Sequence, residues 1–207
     1  MGSRSGGEHG SVRVALLWSA AVLVLGSLLA VVAGLSFSVN VVGSSMEPTL
    51  SEGDRLEVNP FDNAHIARFD IVEALPPNGG APVVKRIIAL PGDQVKVTGG
   101  EDTPEVLVRP ARTETVYRVD NGTWEATYDH AAQLCCDDQG RASGTAGWAT
   151  VPDDSYWVVG DNWSGSTDSR TFGWIRESDI QAKIWLRIMP AQAFGKLPMS
   201  ARLVLQP

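Results

Sequence analysis

The run Val14–Val39, VALLWSAAVLVLGSLLAVVAGLSFSV, contains no charged residue, and shortly beyond it stands Gly43-Ser44-Ser45-Met46-Glu47-Pro48-Thr49-Leu50. As a helix rising about 1.5 Å per residue the run reaches roughly 39 Å, enough to cross a hydrocarbon core of about 30 Å with some tilt. It predicts one transmembrane helix. The stretch after it then sets a small-residue turn, with Ser45 as a candidate nucleophile, at the membrane surface.

A cleavable secretory signal is the alternative for the apolar run, since Val31-Val32-Ala33 ends in a small residue, but the run is well beyond the roughly 7–15 apolar residues of such signals. Arg4 and Arg13 precede it against Glu8 alone, and the next basic residue is Arg55. Basic residues favour the cytoplasmic side, so the N-terminus is expected in the cytoplasm and the bulk of the chain outside. From Met189 onward the chain is broken by Pro190, Lys196, Pro198 and Arg202 and is too short to cross again, which predicts a single pass through the cell membrane. The expected organisation is a tail at 1–13, the helix at 14–39 and an extracytoplasmic β-rich domain at 40–207.

A net charge of -7 and a pI near 4.9 argue against nucleic acid, which needs a basic surface to displace phosphate counterions. The only cysteines, Cys135 and Cys136, are adjacent. Neighbouring Cα atoms about 3.8 Å apart fall below the usual disulfide range, so a bridge between them is expected to be strained and the pair reads as part of a loop of open redox state. His130 lies nearby, but no CxxC or histidine pair completes a metal site, and neither metal nor cofactor is expected.

Short runs rich in β-formers, separated by turn residues, follow the apolar segment at Val39–Val42, Arg55–Val58, Asp70–Ala74, Pro82–Leu90, Val95–Val97, Val106–Val108, Tyr156–Val159 and Ile184–Ile188. The pattern predicts a mainly β fold. Glu114–Val119 and Thr123–Tyr128 flank Asp120-Asn121-Gly122, where Asn-Gly supplies the positive φ angles of a tight hairpin. From about 101 to 150 the chain is polar and turn-rich and reads as a variable insertion in the β core.

Val83-Val84-Lys85-Arg86-Ile87-Ile88 embeds a lysine in aliphatic β-formers. Successive side chains of a strand point to opposite faces, so Lys85 and Arg86 are expected one in and one out. A core-facing Lys85 loses hydration, and bringing an amine from about 10.4 to near 8 means roughly 3 kcal/mol of bias against its charged form. Such an amine takes a serine proton; the competing reading is an edge-strand lysine that discourages sheet pairing. A Ser-His-Asp arrangement finds little support, because His9 precedes the apolar run and His65 and His130 sit among polar, turn-like residues. A third block, Tyr156 to Arg170, runs from a strand into a turn dense in hydroxyls and carboxylates, able to hold a buried amine, with an Asp168–Arg170 pair to brace it.

Taken together the blocks resemble bacterial type I signal peptidase, a membrane-anchored Ser-Lys protease that removes signal peptides from exported preproteins. Ser45-Met46-Glu47-Pro48-Thr49-Leu50 is similar to its nucleophile box, Arg68-Phe69-Asp70-Ile71-Val72 to its next strand box, Lys85 to Asp93 to its lysine box and Gly160 to Gly173 to its last box. The resemblance covers the anchor and roughly 40–95 and 155–188. It implies Ser45 as nucleophile, Lys85 as general base and Ser166 as the hydroxyl that orients the lysine, with the Ser45 N–H binding the oxyanion. Gly43 stands where some members carry a second, hydroxyl donor to the oxyanion, and Trp163 where arginine is common. The resemblance further implies shallow subsites for small residues, which Met46, Pro48 and Ile87 help to shape. Secretory preproteins and the lipid bilayer are the expected partners, and the oligomeric state is left open. Among the tryptophans, Trp18 fits the anchor, Trp157 and Trp185 read as strand core, and Trp124, Trp148, Trp163 and Trp174 are undecided. Two rivals stand beside this reading: a self-cleaving repressor with Ser-Lys chemistry, which needs a DNA-binding domain, and a membrane-tethered β-rich adaptor without catalysis, which would tolerate loss of Ser45 and Lys85.

Overall fold

The computed structural model describes residues 8–36, 38–59, 65–99, 103–128 and 133–206; His130 and the start of the N-terminal tail lie outside them. The chain divides between Ser38 and Val39 into two units. The first is helix α1, Glu8–Ser36, whose Val12–Leu29 stretch has no buried part. Two of its hydroxyls are satisfied within the helix, Ser19 Oγ donating to the Ala15 carbonyl at 2.9 Å and Ser27 Oγ to that of Leu23 at 2.8 Å. A helix in hydrocarbon requires this, since no water is there to take the bonds. Ser38 and Val39, which end the uncharged run, belong instead to strand β1, Ser38–Asn40.

The second unit is built from two antiparallel sheets. One contains β1, β2 (Arg55–Asn59), β3 (Ile71–Ala74), β4 (Val83–Ala89), β9 (Ser155–Val159), β10 (Ile175–Arg176), β11 (Ile180–Met189) and β12 (Gly195–Lys196), in the order β1-β2-β11-β3-β4-β9-β10 with β12 on β11. The other contains β5 (Gln94–Gly99), β6 (Pro104–Arg109), β7 (Tyr117–Asn121), β8 (Ala149–Thr150) and β13 (Ala201–Leu205), in the order β13-β7-β6-β5-β8. The mainly β expectation holds, and the strands read from the sequence have their counterparts except for the second hairpin arm at Thr123–Tyr128, which is helical.

The middle of the first sheet is covered on both faces. Ile87 and Val158 pack with Val72, Tyr156 and Ile175 on one side, while Ile88, Trp157 and Val159 join Val95, Val97, Val106 and Val108 of the second sheet on the other. This is why β9 is buried along its whole length and reads as an unbroken apolar run. A third cluster, with Val41, Met46, Leu50, Leu56, Ile71 and Ile184, lies under the turn that carries Ser45.

The region 101–150, read as an insertion in the β core, supplies β6, β7 and β8, and β7 pairs with β13 from the C-terminal end of the chain. Some readings of the sequence need correction. Asn121-Gly122 does not form a hairpin turn; Asn121 N-caps a short helix α2, Gly122–Thr127, its side chain accepting from the Thr123 N–H at 3.3 Å. Asparagine serves both purposes, and the choice is made by the distant partner strand that β7 finds in β13. Trp185 is 42% exposed rather than core. Cys135 and Cys136, whose redox state the sequence leaves open, are joined by a disulfide, and both are buried against the second sheet.

Lys85 and Arg86 also depart from the one-in, one-out expectation, because both faces of β4 are covered and both residues are buried. Arg86 is compensated: its Nε and Nη2 donate to the Asp161 carboxylate at 2.8 and 2.6 Å, and Nη1 to the Phe69 carbonyl at 2.9 Å. Asp161 also accepts from Thr49 Oγ1 and from Asn121 Nδ2. Arg86→Met leaves that carboxylate buried without its cation, so the variant is expected to lose about 3–5 kcal/mol of unfolding free energy. Urea denaturation of the detergent-solubilised chain measures this; an unchanged midpoint would show that the pair carries no net weight.

Candidate active site

Ser45 is presented by a turn whose ends are anchored. Gly43 takes φ +84°, a left-handed conformation suited to glycine, at the entry to the turn. Met46 and Leu50 plug the third core cluster, and the turn closes with Glu47 N–H to the Ser44 carbonyl at 3.0 Å and Leu50 N–H to that of Met46 at 2.9 Å. With its neighbour Met46 held in the core, Ser45 stays half-buried at the surface.

Lys85 comes from β4, where it lies opposite Val72 of β3, and is 3% exposed. Its Nζ stands 2.7 Å from Ser45 Oγ and 2.9 Å from the Val84 carbonyl oxygen. Burial lowers its pKa from 10.5 to about 8, with Asp168 pulling it up and Arg170 pushing it down. Those two opposing charges belong to one pair. Arg170 Nε and Nη2 each donate to the Asp168 carboxylate at 2.8 Å, and Asp168 further accepts from the N–H of Gly160 at 3.0 Å and of Arg170 at 3.2 Å. The expected Asp168–Arg170 brace is therefore present, as the N-terminal cap and second residue of α3, Ser169–Phe172.

Trp163 is buried against this brace. The Arg170 guanidinium lies 3.9 Å from its ring centroid, and Arg170 Nη2 donates to its carbonyl at 2.8 Å. The aromatic residue thus supports the ion pair through its π face instead of disturbing it.

The other residues singled out from sequence sit as follows. Ser166 Oγ is buried and finds no hydrogen-bond partner among the described residues; the amine of Lys85 bonds to Ser45 and Val84 instead. Met46 and Ile87 are fully packed in two different clusters, whereas Pro48 is exposed beside Thr49, Arg187 and Leu197. His65 is exposed, and His9 belongs to α1. Among the described residues no three His, Cys, Asp or Glu side chains gather as a metal-binding group.

Two residues of the site carry no assignment from sequence. Asn162 ties the loop to the serine turn, its N–H donating to the Ser45 carbonyl and its Nδ2 to the Ser44 carbonyl, each at 3.1 Å. Gly160 lies so close that a Cβ there would strike both Ser166 Oγ and the Ser45 carbonyl oxygen. Both lie within the polar block after β9, but nothing in a sequence tells which atoms a loop will reach.

A half-exposed hydroxyl held against an amine with a lowered pKa is the equipment of a hydrolase that works through a serine. Residues 13–189 match the family of signal peptidases, peptidase S26, and the chain belongs to it. It is 31% identical over 193 residues to signal peptidase I of Bacillus caldolyticus, covering 86% of this chain and 91% of that one. Signal peptidase I of Streptococcus pneumoniae serotype 4 is 29% identical over 201 residues, covering 86% and 94%. The crystal structure of a signal peptidase I from Enterococcus faecalis V583 superposes with a TM-score of 0.40 at 23% identity, over 58% of this chain and 97% of that one. The chain is accordingly a serine peptidase of the type I signal peptidase kind, from a membrane-associated family that removes signal peptides.

Gly160→Ala forces either Ser166 or the Ser45 backbone to move. Because misplacement of a reacting group by about 1 Å can cost about 100-fold in rate, peptide cleavage is expected to fall by that order while circular dichroism keeps its β signature. Cleavage at the wild-type rate would show that the close approach at Gly160 is not needed.

Proposed function

We propose that this chain is a membrane-anchored endopeptidase that cuts signal peptides from secretory preproteins after small residues, with Ser45 as nucleophile and Lys85 as general base. The 2.7 Å separation of Lys85 Nζ and Ser45 Oγ, with the amine almost out of water, carries the reading. Neutral Lys85 takes the proton of Ser45 Oγ as that oxygen bonds to the scissile carbonyl carbon. The resulting oxyanion accepts from the Ser45 N–H, with a second donor contributed at Gly43. Lys85 then returns the proton to the leaving amine of the mature chain, and the signal peptide stays on Ser45 as an ester. Water releases it, with Lys85 again taking the proton.

Ser166, a buried hydroxyl without a partner next to Gly160, is the group available to orient the amine once it turns from Val84. Asp168 and Arg170 neutralise one another beside Lys85 and so do not fix its charge. Pro48 borders the substrate, and Met46 and Ile87 act from beneath it by setting the level of the turn and of β4. The helix α1 spans the bilayer with the N-terminus in the cytoplasm and the β unit outside, where exported preproteins emerge.

The test is incubation of the detergent-solubilised protein with a secretory preprotein bearing small residues at the first and third positions before the cut. Mass spectrometry should find one cut after a small residue, slowed by more than about 1,000-fold in Ser45→Ala and in Lys85→Ala. A cut that survives either change rules out the pair.

The pH dependence follows from the neutral amine being the active form. Activity rises with pH through about 8 and falls roughly tenfold per unit below it, so that at pH 6 kcat/KM is about 100-fold under its plateau. A flat profile from about pH 6 to 9 excludes a lysine base.

A further inference from the structure

The segment that follows β9 has two sides. Toward the site, the Gly160 N–H donates to Asp168, Gly160 abuts Ser166 Oγ and the Ser45 carbonyl, and Asn162 bonds to the carbonyls of Ser44 and Ser45. Away from the site, the same few residues are gripped by α2 and its cap. Trp124 Nε1 donates to the Gly160 carbonyl at 3.0 Å, Asn121 Nδ2 to Asp161 Oδ1 at 3.2 Å, and the Trp163 N–H to Thr127 Oγ1 at 2.8 Å. The rings of Trp124 and Trp163 meet edge to face, 5.1 Å between centroids, on the ring that supports Arg170.

A helix of six residues has no stability of its own in water, because a helical nucleus costs more than so few bonds return. Trp124 is the one residue of α2 that is buried, and its bond goes to the backbone of the catalytic loop. We infer that α2 is a clasp for the catalytic loop, with Asn121, Trp124 and Thr127 as positioning residues that hold Gly160–Trp163 and through it the alignment of Ser45 with Lys85. The inference rests on the Ser45–Lys85 reading above. It gives a role in the reaction to a part of the chain that the sequence marks only as a polar insertion.

A loosened loop misaligns the reacting pair and admits water to Lys85. Misalignment lowers kcat without touching the substrate's contacts. Water lessens the desolvation of the amine, so its pKa moves up from about 8 toward its ordinary value and the rising limb of the pH profile moves with it.

Thr127→Val removes the acceptor for the Trp163 N–H at nearly constant volume, at a position that is only half-buried. It is expected to lower kcat about tenfold at unchanged KM and to move the pH midpoint upward, whereas Thr127→Ser, which keeps the hydroxyl, restores both. Trp124→Phe keeps a ring and loses the bond to Gly160, and the same direction is expected with a loss of about 10- to 100-fold. Glu125→Gln, exposed on the same helix, leaves kcat and the midpoint at their wild-type values. Wild-type kcat and midpoint in folded Thr127→Val overturn the clasp, as does a loss that Thr127→Ser shares. Continued cleavage by Ser45→Ala or Lys85→Ala instead overturns the catalytic pair, so the two failures are separable. Should Trp124→Phe not fold, the valine and serine variants at Thr127 decide alone.

Discussion

Keeping an amine out of water beside a hydroxyl is the constraint around which this structure is arranged. A lysine on the surface is charged at neutral pH and cannot accept a proton, so the base role proposed for Lys85 requires a place where hydration is lost. One sheet with a solvated face would not provide this. The second sheet covers β4 and β9 from one side, the Val72–Tyr156–Ile175 cluster covers them from the other, and among the described residues the Lys85 amine bonds to Ser45 and to the carbonyl of Val84.

Desolvation works only if no unpaired carboxylate stands nearby to hold the proton on the amine. Two aspartates approach this region, and each is committed elsewhere. Asp161 is saturated by Arg86, Thr49 and Asn121, and Asp168 by Arg170 and two backbone N–H groups. Both buried ion pairs gain little net stability over apolar replacements of similar shape. Their effect is positional: the Arg86–Asp161 pair joins β4 to the serine turn through Thr49, and the Asp168–Arg170 pair fixes the loop at Gly160.

Residue patterns made one half of this legible. β4 and β9 read as strands because their runs of Val, Ile and Trp are buried on both faces, and Lys85 stands out within such a run. The serine turn was legible from its small residues and its place after an uncharged stretch. What could not be read depends on partners far away in the chain. Asn121-Gly122 carries the residues of a hairpin turn, yet β13, some 80 residues later, takes the strand that a hairpin would have used. Alternation puts one of Lys85 and Arg86 out because the second layer over β4, built from segments remote in sequence, leaves no local mark, and Trp185 reads as core because exposure of one strand face has no local signature.

Trp163 shows how one large buried side chain is met from several sides. An indole beside the Asp168–Arg170 pair needs a face for Arg170, a neighbour for its edge and a partner for its backbone N–H. Arg170 supplies the first, Trp124 the second and Thr127 the third. A cation over an aromatic face is worth about 0.5–1 kcal/mol when exposed and about 2 kcal/mol or more when desolvated, so the Arg170–Trp163 stack adds to the Asp168–Arg170 pair rather than competing with it. An arginine at 163 would put two guanidinium groups beside the single carboxylate of Asp168. The tryptophan, α2 and the Asp168–Arg170 pair therefore act as one packed unit.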